Sequence, residues 1–141
     1  MSVANAFAAP FTRALPDCQN ARLALIAMRR MGSQGLADAA AAHLLFTAFG
    51  PAFRRPLMLM RVLMTDLAAS ARGTIAIAPC CCVKMTGAET ALLAVLTRAE
   101  REPEAARLLL ADLLGHRAVD GPLAAATAVA IAFADGGRPI C

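Results

Sequence analysis

Apolar residues recur every three to four positions through most of the chain, the spacing that gathers them on one face of an α-helix. Leu23, Ile26, Ala27 and Met31 form the first such face, and Asp17 suits the N-cap of a helix running to about Met31. Gly32-Ser33-Gln34-Gly35 interrupts the pattern. A second helix is predicted over Leu36–Phe49, ending at Gly50-Pro51. It is apolar nearly all round, which predicts burial, with Asp38 and His43 as the exceptions. A third begins at Arg54-Arg55-Pro56 and runs to about Ala71, burying Met60, Leu63, Met64 and Leu67. Thr74–Ala78 alternates weakly and predicts one short extended piece. Thr86 and Glu89 stand at capping-box spacing, so a fourth helix starts there, with Ala88, Leu92, Val95, Leu96 and Ala99 inward. The charged segment Arg98–Glu104 with Pro103 marks a turn into a fifth helix carrying Leu109, Leu110, Leu113 and Leu114, with Gly115 as its C-cap. Asp120-Gly121-Pro122 opens a sixth, which ends at Gly136-Gly137.

No βαβ rhythm and no internal repeat intervene. The pattern predicts an all-α protein: a compact single-domain bundle of about six helices with short connections, residues 17–141, behind an N-terminal arm, residues 1–16. Composition adds one question. Mean hydropathy is +0.59, yet the longest uncharged runs, Ala39–Phe53 and Gly121–Ala134, fall short of the ~17 residues a membrane span needs. Met1–Leu15 lacks the basic start and unbroken apolar stretch of a secretory leader. The expectation is a cytoplasmic protein without a membrane span.

That compartment bears on the five cysteines. Reducing conditions disfavour disulfides, so clustered thiols there point to metal, redox or plain burial. Cys80, Cys81 and Cys82 are consecutive, after Pro79 and just before the Thr86 cap. If the segment is extended, Cys80 and Cys82 share a side and Cys81 faces away. Cys80 and Cys82 then chelate a soft metal, with Cys18, Cys141 or His43 completing the set, and His116 and the Met85 thioether as further candidates. Zinc, copper and an iron–sulfur cluster are the cofactors this donor set admits. The redox alternative rests on Cys81 and Cys82, near Lys84 and a helix N-terminus whose positive potential favours a thiolate. The bland alternative has all three packed as small apolar side chains.

Phe53-Arg54-Arg55-Pro56-Leu57 and Ala78-Pro79-Cys80-Cys81-Cys82 followed by Met85-Thr86, with Asp38 upstream, resemble an uncharacterised family of small alphaproteobacterial proteins, a domain of unknown function. The resemblance covers about Asp17 to Leu96 and implies a bacterial origin and a single domain. It implies no activity.

Elsewhere, Asp38 on the second helix and Arg61 within the apolar run of the third predict a helix-tying ion pair. Residues 1–72 hold eight arginines against three acids, a local balance of +5 that suits an acidic partner. Sequence-specific DNA binding is disfavoured, because Ala37–Phe46 offers base edges little beyond Asp38 and His43. Walker, nucleophile-elbow and dinucleotide motifs are absent. The residues therefore favour a binding or interaction domain over an enzyme, with a homodimer or a protein partner to cover its apolar excess.

Overall fold

The computed structural model describes residues 13–141; the rest of the predicted arm, residues 1–12, lies outside the described residues. Strand β1 (Arg13–Ala14) leads into helix α1 (Gln19–Gln34), followed by α2 (Ala39–Phe49), a 3-10 turn (Gly50–Phe53) and α3 (Arg54–Ser70). After a long connection come β2 (Lys84–Met85), α4 (Gly87–Arg98), α5 (Pro103–Leu114) and α6 (Asp120–Asp135). Helix accounts for 68% of the described residues and strand for 3%.

The expected six separate helices are five uninterrupted helical stretches, because α2 runs through the 3-10 turn into α3 without a non-helical residue. Pro51 breaks the α-helical ladder there but sits comfortably in the first turn of the 3-10 segment. The expected short connections fail at one place, residues 71–86, which hold the cysteines. No strand forms over Thr74–Ala78. The strand lies later, at Lys84–Met85, antiparallel to the end of the arm with Arg13 opposite Met85 and Ala14 opposite Lys84.

Helix ends follow local chemistry. Cys18, not Asp17, is the N-cap residue of α1, and the helix continues through Gly32 to Gln34. Gly32 has a packing reason: a Cβ there would lie 3.2 Å from the Ile77 Cγ2. Asp38 caps α2 by accepting from the Ala41 N–H at 2.9 Å, so that helix begins at Ala39 rather than Leu36. Thr86 and Glu89 form the predicted capping box on α4. Gly115 ends α5 in the left-handed region at φ 81°.

The core draws on all six α-helices and centres on Leu25, Met28, Leu45, Met60, Leu63, Leu92, Leu110, Leu114 and Phe133, each fully buried. Burial of α2 is less than its composition predicts: Ala41 and Leu45 are inside, while Phe46 is 50% exposed. An all-apolar helix lacks the polar stripe that would mark its solvent face, so composition overstates its burial. Phe49 packs edge-on against Phe133 with ring centroids 5.0 Å apart, and it approaches the α6 C-cap Gly136 so closely that a Cβ there would lie 2.6 Å from the ring.

Candidate functional site: the cysteine turn

Residues 71–86 have little secondary structure to satisfy their backbone, so other groups must do it. The work falls to Arg29 of α1 and Glu89 of α4, both fully buried. Their side chains meet in a two-pronged ion pair, Nε to Oε2 at 2.8 Å and Nη2 to Oε1 at 2.9 Å. Arg29 also donates to the carbonyls of Cys82 and Lys84, each at 2.8 Å. Glu89 accepts from the N–H groups of Ala78 at 3.1 Å and Thr86 at 2.9 Å. The Thr86 hydroxyl donates to the Ala76 carbonyl at 2.6 Å. Five of the segment's anchoring hydrogen bonds thus meet in one buried polar cluster with Thr86, and no buried side-chain nitrogen or oxygen among the described residues lacks a partner.

Burial pushes the Glu89 carboxyl up, but the Arg29 guanidinium and the two backbone donors outweigh that, and its pKa lies below the usual value. The hydrogen bond that Arg29 donates to Glu89 in turn raises Arg29, against the opposing effect of burial.

Held at both ends, Pro79–Cys82 closes as a tight turn in which the Cys82 N–H donates to the Pro79 carbonyl at 3.1 Å. Cys80 and Cys81 occupy its two central positions. The extended geometry expected for Cys80 and Cys82 is therefore not adopted. Nor are the thiols packed away: Cys80 and Cys81 are exposed and Cys82 is half-buried, so the packed-core alternative does not describe them. Charge lies close by. Arg30 is raised above its ordinary value, chiefly by hydrogen bonding to Asp38 and next by the Cys80 sulfur beside it. Cys82 and Cys80 are also within electrostatic range of Arg29. Cys81, Cys82, Val83 and Lys84 line a shallow recess of about 370 Å³.

The predicted companions lie elsewhere. Cys18 and Cys141 are joined in a disulfide, with Cα atoms 5.9 Å apart across a sequence separation of 123. Neither sulfur is free to complete a metal site with Cys80 and Cys82. Its presence also contradicts the premise that all five cysteines are reduced. His43 is exposed on α2. His116, just past the end of α5, reaches the Ser70 carbonyl at the end of α3, and Met85 is buried. Among the described residues, no three His, Cys, Asp or Glu side chains converge to hold a metal ion.

The expected Asp38–Arg61 pair gives way to another. As an N-cap, Asp38 precedes α2 and turns back to α1, where Arg30 grips both its oxygens at 3.0 Å. Arg30 and the Ala41 N–H hold Asp38 below its ordinary value despite the opposing desolvation. Arg61 donates to the Leu36 carbonyl at 2.9 Å instead. Sequence spacing alone does not reveal the Arg29–Glu89 pair. Its signal was a lone arginine four residues after Leu25 on an otherwise apolar stripe, where a buried guanidinium demands an acid.

A family model described as a family of unknown function, DUF6628, matches residues 6–134. The chain belongs to this family. The match extends beyond the Asp17–Leu96 span that the resemblance covered, reaching through α5 and almost to the end of α6. No curated protein and no solved structure matches the chain. No described helix is long and apolar enough to cross a membrane.

Proposed function

We propose that this protein is a thiol-presenting domain whose Cys80-Cys81-Cys82 turn reacts by thiol–disulfide exchange, with Cys80 as the attacking sulfur. One observation carries this reading: two exposed thiols, Cys80 and Cys81, stand on a turn that a fully buried ion pair holds in place, and Cys80 contributes to the raised pKa of the neighbouring Arg30. A cation next to a sulfur stabilises the negative charge of an attacking thiolate, and exposure lets a partner reach it. This shifts the emphasis within the turn from Cys81 and Cys82 to Cys80. The rest of the helical domain acts as a rigid frame, which agrees with the absence of a catalytic template elsewhere in the sequence. The proposal does not depend on a reducing cytoplasm, since one oxidised pair and three free thiols coexist in the fold.

Soft-metal binding is the second reading, favoured by three contiguous free thiols in one turn. It needs further ligands from a partner.

Competitive labelling separates the two. Native protein is treated with limiting iodoacetamide, a neutral reagent, and each cysteine is quantified by peptide mass spectrometry. Cys80 is expected to be labelled several-fold faster than Cys81 or Cys82, and Arg30→Met is expected to remove that lead. Equal labelling of all three sinks the exchange reading. Stoichiometric uptake of zinc or copper(I) that shields the turn from iodoacetamide supports the metal reading instead.

A further inference from the structure

A recess of about 490 Å³ is lined by Leu96 of α4, by Ala130 and Ala134 of α6, and by Pro139, Ile140 and Cys141 of the segment that follows α6. Leu96 and Ala130 are buried, and Ile140 is half-buried and packs against the core. The segment that shares this recess is held by few bonds. Asn20 Nδ2 donates to the Pro139 carbonyl at 2.9 Å, and Arg138 Nε donates to the Ala48 carbonyl at 2.9 Å. Among the described residues, neither Ile140 nor Cys141 makes a backbone–backbone hydrogen bond. The one covalent tie is the Cys18–Cys141 disulfide, in which Cys18 is half-buried and Cys141 is exposed. The chain leaves α6 through Gly136-Gly137, and Gly137 stands at φ 80°, a conformation that glycine enters and leaves without strain. A segment with a glycine hinge and few hydrogen bonds opens more readily than the core it lies on.

We infer that the Cys18–Cys141 disulfide is a redox latch. With the bond closed, residues 138–141 stay seated against α4 and α6. Its reduction by a dithiol frees them and opens the Leu96–Ala130 surface to solvent, while the helical core stays folded. In the step, one thiol of the reductant loses its proton to water, and its thiolate attacks the exposed Cys141 sulfur. The Cys18–Cys141 bond breaks as the mixed disulfide forms. Cys18, whose sulfur already accepts the Cys141 N–H at 3.3 Å, leaves as a thiolate and takes up a proton from water. The second thiol of the reductant then displaces Cys141, which is protonated in its turn. The protein gains two electrons and two protons, and the reductant ends as a cyclic disulfide.

Hydroxyl-radical footprinting with peptide mass spectrometry reads the exposure of individual side chains. It is applied to the oxidised full chain and to the double variant Cys18→Ser, Cys141→Ser, which needs no reductant. Labelling at Leu96 and Ile140 is expected to rise several-fold in the variant, while Leu110 and Leu114, fully buried in the core, stay protected. No rise at Leu96 and Ile140 overturns the inference, because the segment is then seated without its bond. A rise that reaches Leu110 and Leu114 also overturns it, because the bond is then a brace for the whole core. Wild type reduced with dithiothreitol and desalted provides a second arm free of substitutions. It is expected to show the same open footprint, and reoxidation is expected to restore the closed one. A reduced footprint identical to the oxidised one overturns the inference. Neither arm depends on which thiol of the cysteine turn reacts first, so the latch and the exchange reading stand or fall separately.

Discussion

Glu89 accepts four hydrogen bonds out of contact with solvent, two from Arg29 and one each from Ala78 and Thr86. Removing one partner leaves the other charge buried and unpaired, which costs about 3–5 kcal/mol. Glu89→Gln and Arg29→Met should each lower the unfolding free energy by that order in chemical denaturation, far more than Arg55→Met at the exposed Arg55–Asp135 pair. The sign with pH follows from Glu89 and Asp38, both held below their ordinary values. Their stabilisation is complete above the unfolded pKa values, about 4.3 and 3.9, and is lost as pH falls through the lower folded ones. Urea melts between pH 7 and pH 3 should show constant stability down to about pH 5 and a decline below it, shallower in Glu89→Gln. The capping role of Glu89 was legible, because Thr-x-x-Glu is a local pattern. Its pairing with Arg29 was not, because they lie sixty positions apart and the capping box already accounted for the glutamate.

At the scale of elements, several helix starts or stops were readable from caps and breakers, among them Pro56, Thr86, Pro103 and Gly115, whereas Asp38 reads as an interior residue of its helix rather than as its cap. Long-range needs were not. Gly32 within α1 packs directly against Ile77, and the strand at Lys84–Met85 exists through pairing with Arg13–Ala14. Neither neighbour is visible in a local window. Thr86→Ala should cost about 1 kcal/mol as a lost N-cap, plus the bond to Ala76, and hydrogen exchange should rise at the start of α4. Gly136→Ala tests the closure of α6 against the 3-10 turn region. Its added methyl meets the Phe49 ring, so a loss of about 1–3 kcal/mol from overpacking is expected in chemical denaturation.

The whole molecule is tied by its chain ends as well as its core. The Cys18–Cys141 disulfide spans 123 residues, Arg138 donates to the Ala48 carbonyl and Asn20 to the Pro139 carbonyl. Closing so long a loop restricts the unfolded chain, and Cys141→Ser should lower stability by about 2–4 kcal/mol, as should a reductant acting on the wild type. No spacing rule pairs cysteines this far apart, and the triple run drew attention away from them. With Cys18 and Cys141 engaged, the reactive chemistry concentrates on one turn fastened to the core by Arg29 and Glu89. The central claim is that the folded frame, not cysteine content, makes Cys80 the preferred nucleophile. The most direct measurement is the ratio of Cys80 to Cys81 alkylation by iodoacetamide, taken in native protein and again in 6 M guanidinium. The account predicts a ratio several-fold above one in the native state that collapses to about one on unfolding. A native ratio already near one, or one unchanged by unfolding, contradicts it.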